Sequence, residues 1–162
     1  MKNPQTPWNP YPTVSVIDRT AFVHPEASVI GAVKIGAYVM VSPFASLRGD
    51  EGMPILIGDN SNVQDGVVVH GPAVVGDDTF VGMQAFVFKS HVGKGCVLEP
   101  KSAAIGVDIP DRKYIPAGMV VTTPEQVSQL KDIYEGYPYQ HTNEAVVYVN
   151  TNLAKGYNKA AH

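Results

Sequence analysis

A parallel β-solenoid with helices appended to its C-terminal end is the fold this sequence predicts, and three observations predict it. The first is a long period. An aliphatic residue followed by Gly or Asp recurs at Ile17-Asp18, Ile35-Gly36, Ile57-Gly58, Val75-Gly76 and Val92-Gly93, at intervals of 18, 22, 18 and 17 residues. The second is a sub-period of six within it, carried by Ile57, Val63, Val69, Val75, Val81 and Val87. The third is corner chemistry: Gly58, Asp59 and Asn60, and again Gly76, Asp77 and Asp78, follow the aliphatic residue with types suited to tight turns. One aliphatic residue in six closes a triangular coil whose three faces each send a side chain to the axis. Coils stacked about 4.8 Å apart give every backbone N–H and C=O a partner in the next coil. A sandwich of short strands would lose the six-residue phase at its corners.

The elements follow in order. Residues 1–16 form an arm rich in Pro and Asn, which excludes a helix and is expected to drape over the first coil and cap it with Trp8. The solenoid spans 17–121. Its second coil, IGAYVMVSPFASLRGDEGMPIL, carries about four residues more than the first, placed at 48–54 as a loop extruded from a corner. Coil three (57–74) carries Asn62, Gln64, Asp65 and His70, and coil four (75–91) carries Met83, Phe88 and His91. Residues 122–162 form a C-terminal helical segment. Thr123-Pro124-Glu125 reads as an N-cap, a first-turn proline and an acidic first turn, opening a helix expected to reach about Tyr134. A second helix is expected from Thr142 or Asn143, with Ala145, Val146, Val149 and Leu153 as its apolar stripe.

Bulk properties narrow the function. The 162 residues suit one domain with a tail, and charged residues make up only 17%. The formal charge is -3 and no Lys/Arg block occurs, which removes the electrostatic basis for binding nucleic acid. The single cysteine, Cys96, excludes an internal disulfide and a multi-cysteine metal site, and leaves packing as its role. No apolar run approaches a membrane span, and the N-terminal residues show no leader-like apolar stretch. The expectation is a soluble, cytoplasmic chain, although a mature form stripped of a leader would read the same.

Stacking brings the loop residues Arg48, Asp50 and Glu51 close to Asn62, Gln64 and Asp65 of the next coil, and His70 is the histidine best placed for chemistry. The stretches RGDEGMPI, NVQDGVVVHGP, GDDTFVGMQAFVFKS, CVLEPKSAAIGV, YIPAGMVVT and HTNEAVVYVN resemble the γ-class carbonic anhydrases over nearly the whole chain. The resemblance implies a left-handed parallel β-helix with a C-terminal α-helix. It also implies a homotrimer, and zinc or iron held by three histidines between neighbouring subunits for the hydration of CO2 to bicarbonate. Carried over by residue, His70 matches the first metal ligand and Glu51 the carboxylate beside the bound solvent. Gln64 and Asn62 match groups that orient solvent, Arg48 and Asp65 an ion pair joining subunits, and Asn150 a residue near the substrate pocket.

The departures are equally specific. In the family an acidic loop with a proton-shuttling Glu, and then a whole coil with two further histidines, follow the first ligand. Here Gly71-Pro72 follows His70 directly, so the first and last histidines are merged and one coil is absent. His70 lies 13 residues after Ile57, and the same place one coil later is Phe88; five residues before these stand Asp65 and Met83. Phe is no ligand and a thioether is a poor one for zinc. His91 is the remaining candidate ligand, and His70 with Asp65 of a neighbouring copy is a two-residue alternative. His70 as an interface histidine bonded to a carboxylate is the structural alternative. The expected function is therefore carbonic anhydrase chemistry, reduced or lost. The alternatives are a trimeric scaffold without activity, such as the carboxysome relatives of the family, and a hexapeptide acyltransferase using His70 or His91 as base.

Overall fold

A computed structural model describes residues 2–160, with the side chains of 158–160 left out of the description. Eighteen short strands fall into three six-stranded parallel sheets, each built from every third strand. The first sheet holds Val16–Ile17, Val33–Ile35, Ile55–Ile57, Ala73–Val75, His91–Val92 and Asp108–Ile109; the second runs from Phe22–Val23 to Tyr114–Ile115, and the third from Ser28–Gly31 to Val120–Val121. This is the parallel β-solenoid the periodicity predicts. Its axis is a column of aliphatic side chains, with Ile57, Val63, Val69, Val75, Val81 and Val87 all fully buried. Each such side chain contributes about 1.5–3 kcal/mol by leaving water. β-Branched residues dominate because their stiff side chains suit a half-buried pleat.

The corners are locked from coil to coil. Asp59 Oδ1 accepts from Ala37 N at 2.8 Å, Asp77 Oδ1 from Asp59 N at 3.1 Å, and Asp111 Oδ1 from Lys94 N at 2.8 Å. Inside the same corner Ser61 Oγ and Thr79 Oγ1 donate to Gly76 O and Gly93 O of the following coil, at 2.8 and 2.9 Å, and Cys96 Sγ lies 3.2 Å from Pro110 O. Left-handed backbone at these corners is not confined to Asn60 and Asp78: Tyr38, Phe44, Gln84, Lys101 and Arg112 adopt it too. The stack imposes it, since Asn60 N donates to Ala37 O at 2.8 Å and Arg112 N to Lys94 O at 2.8 Å.

Three expectations need correcting. Trp8 does not cap the first coil; its side chain is 69% exposed, and the arm is held by the buried Asn3 and Asn9 instead. The first helix, α1 (Pro124–Ser128), is a single turn opened by a capping box of Thr123 and Gln126; it does not reach Tyr134, because the chain returns to the solenoid through the Lys113–Asp132 bridge. The second helix, α2 (Thr142–Ala160), starts where expected but presents a different face. Asn143 and Asn150 are buried against the second sheet, whereas Ala145, Val149 and Leu153 are exposed. Of the expected stripe Val146 alone packs, half-buried against Phe80, Val97, Ile133 and Tyr137, and polar bonds set the rotation of the helix.

Candidate active site

His70 ends a strand of the third sheet, where the outward residues stack as Ile30, Arg48, His70, Phe88 and Ile105. The imidazole therefore lies between a guanidinium on one coil and a phenyl ring on the next. Phe88 meets it edge to face, with centroids 5.3 Å apart at 83°. His70 Nδ1 lies 3.2 Å from Gly71 O, which can only accept, so in the neutral ring Nδ1 carries the hydrogen and Nε2 the lone pair. Nε2 faces Glu51 Oε1 at 3.9 Å, too far for a direct hydrogen bond and a suitable span for one shared water. The side chain of Glu51 is 55% exposed and that of His70 19%, so the pair opens to solvent or to another molecule.

Arg48 pairs within the chain, its Nη2 donating to Asp50 Oδ2 at 3.0 Å. That bond raises the guanidinium pKa above its already high value and leaves Arg48 a fixed cation. Asp65 is exposed at the turn between the second and third sheets, and its pairing with Arg48 is not made inside one chain. The other oxygen of Asp50, Oδ1, is buried without a partner.

The remaining residues assemble elsewhere. Asn62 stands in the outward column of the second sheet, completely buried under α2. Its Nδ2 donates to Asn143 Oδ1 at 2.7 Å and its Oδ1 accepts from Asn150 Nδ2 at 2.7 Å, while Asn143 Nδ2 donates to Asn60 O at 2.9 Å. Asn143 was missed in the sequence; only its place at the start of HTNEAVVYVN, seven residues before Asn150, could have found it. Gln64 lies at the corner between this amide cluster and the third sheet, buried, with Nε2 unpartnered. His91 is exposed on the first sheet between Val74 and Asp108, away from the sheet of His70. The residues thus fall into two groups on different faces of one chain: His70 with Glu51 and Arg48, and Asn62 with Asn143 and Asn150.

Among the described residues no three His, Cys, Asp or Glu side chains are gathered to hold a metal. Within one chain the donors near His70 amount to one imidazole and one carboxylate, flanked by Arg48 and Phe88, neither a ligand. This set does not fit the three-donor, open-position geometry of a catalytic zinc centre.

No family model matches the sequence. Individual relatives do. The carbonic anhydrase of Methanosarcina thermophila is 54% identical over 201 residues, covering 99% of this chain and 81% of the relative. The chain belongs to the γ-class carbonic anhydrase family. Since 99% of a 162-residue chain is about 160 residues, about 40 of those 201 aligned positions have no counterpart here, as a missing loop and coil require. The carboxysome assembly protein CcmM of a Nostoc species is 35% identical over 98% of this chain, which spans 34% of that protein. By shape the chain is similar to a hexapeptide transferase family protein from Anaplasma phagocytophilum, with a TM-score of 0.62 over 90% of this chain and 93% of that one; at 21% identity this concerns the fold alone. No helix among the described residues is long and apolar enough to cross a membrane.

Proposed function

We propose that this γ-class carbonic anhydrase homologue acts as a homotrimer on CO2 and bicarbonate at the His70 face, with hydration strongly reduced relative to a three-histidine enzyme. The single observation carrying this reading is the column Arg48–His70–Phe88, which keeps one imidazole beside Glu51 and puts a phenyl ring in the next coil. Membership in the family suggests a metal, and zinc or iron would supply Lewis acidity there. The donors of one chain do not form that site, so the chemistry is assigned to the chain's own groups. A water held between His70 Nε2 and Glu51 Oε1 donates a proton to Nε2 as its oxygen attacks the carbon of CO2, giving bicarbonate and a protonated imidazole. Gly71 O keeps Nε2 the accepting nitrogen, and Arg48, already tethered by Asp50, places a positive charge beside the developing anion. Gln64, at the corner with Nε2 unpartnered, is the group of the second cluster left to face a neighbouring copy, where Arg48 would pair with Asp65, while Asn62 and Asn150 hold α2 through each other. His91, exposed on the first sheet of the same chain and away from His70, is left out of this site.

Stopped-flow CO2 hydration by the purified protein and its His70→Ala variant tests the reading. A weak rate that falls at least tenfold in the variant supports it, and equal rates overturn it. The second reading, a trimeric scaffold without activity, is favoured by the absence of a second donor in the His70 column and by the likeness to CcmM. Unchanged trimer assembly with no hydration above buffer would select it.

A further inference from the structure

The loop bearing Glu51 is held from the far end of the chain. Asn3 is 2% exposed, and its Oδ1 accepts from Thr13 N at 2.7 Å and Thr13 Oγ1 at 3.3 Å, closing the arm on itself. Its Nδ2 donates to Asp50 O at 3.3 Å, across 47 residues of sequence. The arm also lies against the loop's turn: a Cβ on Gly52, whose φ is +75°, would stand 3.5 Å from Asn9 Cβ and 3.6 Å from Trp8 O. Asn9 is itself buried. Residues 50–54 leave the regular ladder of the third sheet after Gly49, itself paired with Gly31, before the first sheet resumes at Ile55, so the loop is shorter than the 48–54 expected and Arg48 lies on the strand, not on the loop. Glu51 sits at the crest of this excursion, next to the residue whose carbonyl Asn3 holds.

We propose that Asn3 is a positioning residue for the His70–Glu51 pair, fixing the 50–54 loop through Asp50 O so that Glu51 Oε1 stays within a water's span of His70 Nε2. This rests on the reading that the pair shares the reacting water. Two features make Asn3 suited to the task. Its oxygen serves only the arm, whereas its nitrogen reaches both Asp50 O and, at 3.5 Å, Pro4 O, so an aspartate keeps the Thr13 contacts while giving up both amide donations. Its burial at 2% exposure limits competition from solvent for these part-buried bonds.

Asn3→Asp keeps the oxygen that accepts from Thr13 and replaces the donor facing Asp50 O with a second acceptor. Asn3→Ala removes every side-chain bond of the amide, and Tyr11→Ala, at an 83% exposed arm position, is the control. Three measurements on the full chain are read together: amide exchange at residues 50–53, nuclear Overhauser effects between the His70 ring and the Glu51 side chain, and stopped-flow hydration. For N3D, which loses the donor and turns a second acceptor toward Asp50 O, exchange in the loop rises at least fivefold, and the His70–Glu51 effects weaken. The kcat falls about fivefold with KM for CO2 unchanged, Tm stays within a few degrees, and Y11A matches the wild type. Loop exchange and ring contacts in N3D identical to wild type overturn the proposal, as does a fall in kcat with those contacts intact. If the wild type shows no hydration while N3D still frees the loop and separates Glu51 from His70, the positioning role stands and the hydration reading fails.

Discussion

Phe88 stands directly against His70: the two are register partners on adjacent strands of the third sheet, and their rings meet edge to face at 5.3 Å. A stacked solenoid repeats a side-chain place every coil, so the residue that could supply a second donor to His70 is fixed by register, and it is a phenylalanine. Exchanging it should be informative. Phe88→His places a second imidazole about 4.8 Å along the stack, within reach of a shared ion. Zinc affinity measured by competition with a chelator is expected to rise at least tenfold, and an unchanged affinity would show that the column does not converge on an ion.

The amide cluster under α2 is a structural clasp whose loss is measurable. Asn62→Ala leaves Asn143 Oδ1 and Asn150 Nδ2 buried without partners, at a cost of about 2 kcal/mol. For a chain of this length that lowers Tm by about 4–8 °C. Calorimetry checks it, and a Tm within 1 °C of wild type contradicts the clasp.

Close stacking makes certain glycines irreplaceable. A Cβ on Gly58 would lie 2.5 Å from Asp77 N and 2.7 Å from Gly76 C of the following coil, both backbone atoms. Gly58→Ala therefore forces two coils apart and should destabilise by about 1–3 kcal/mol, seen as a lower urea midpoint.

Alkaline stability follows from two buried acids. Burial raises the Cys96 thiol from 9.0 to about 11, and burial, then the bond to Glu99, raises Tyr137 above its ordinary value. Both bind their protons more tightly folded than unfolded. Their contribution is complete below the unfolded pKa and is lost as pH rises through the folded one. Urea midpoints should hold steady to about pH 9 and fall toward pH 11, and Cys96→Ser should flatten part of that slope. A midpoint rising over that interval would contradict the assignment.

The solenoid was legible because one physical signal, an aliphatic residue every sixth position, was repeated until chance could not produce it. The register followed from the same spacing: thirteen residues from Ile57 to His70 and thirteen from Val75 to Phe88 fixed a pairing the sheet contains. The helices were less legible for a definite reason. The packed face of α2 is chosen by Asn143 and Asn150 bonding to Asn60 O and Asn62, polar contacts more than 80 residues apart that no local periodicity encodes. Tyr148, Val149 and Leu153 consequently face outward despite their apolar character. In the site, the residue types were visible, but their division between two faces of one chain was not, since it depends on where Gln64 turns the corner. The arm's hold on Asp50 through Asn3 was equally invisible, joining segments with no shared period.

The central claim is that His70 contributes the sole imidazole to any ion at this site. X-ray absorption at the zinc edge, on protein dialysed after zinc loading, tests it most directly by counting imidazoles around retained metal. The account predicts either no retained zinc or zinc with one imidazole that is lost in His70→Ala. Zinc bound near one per chain with three imidazoles would contradict it.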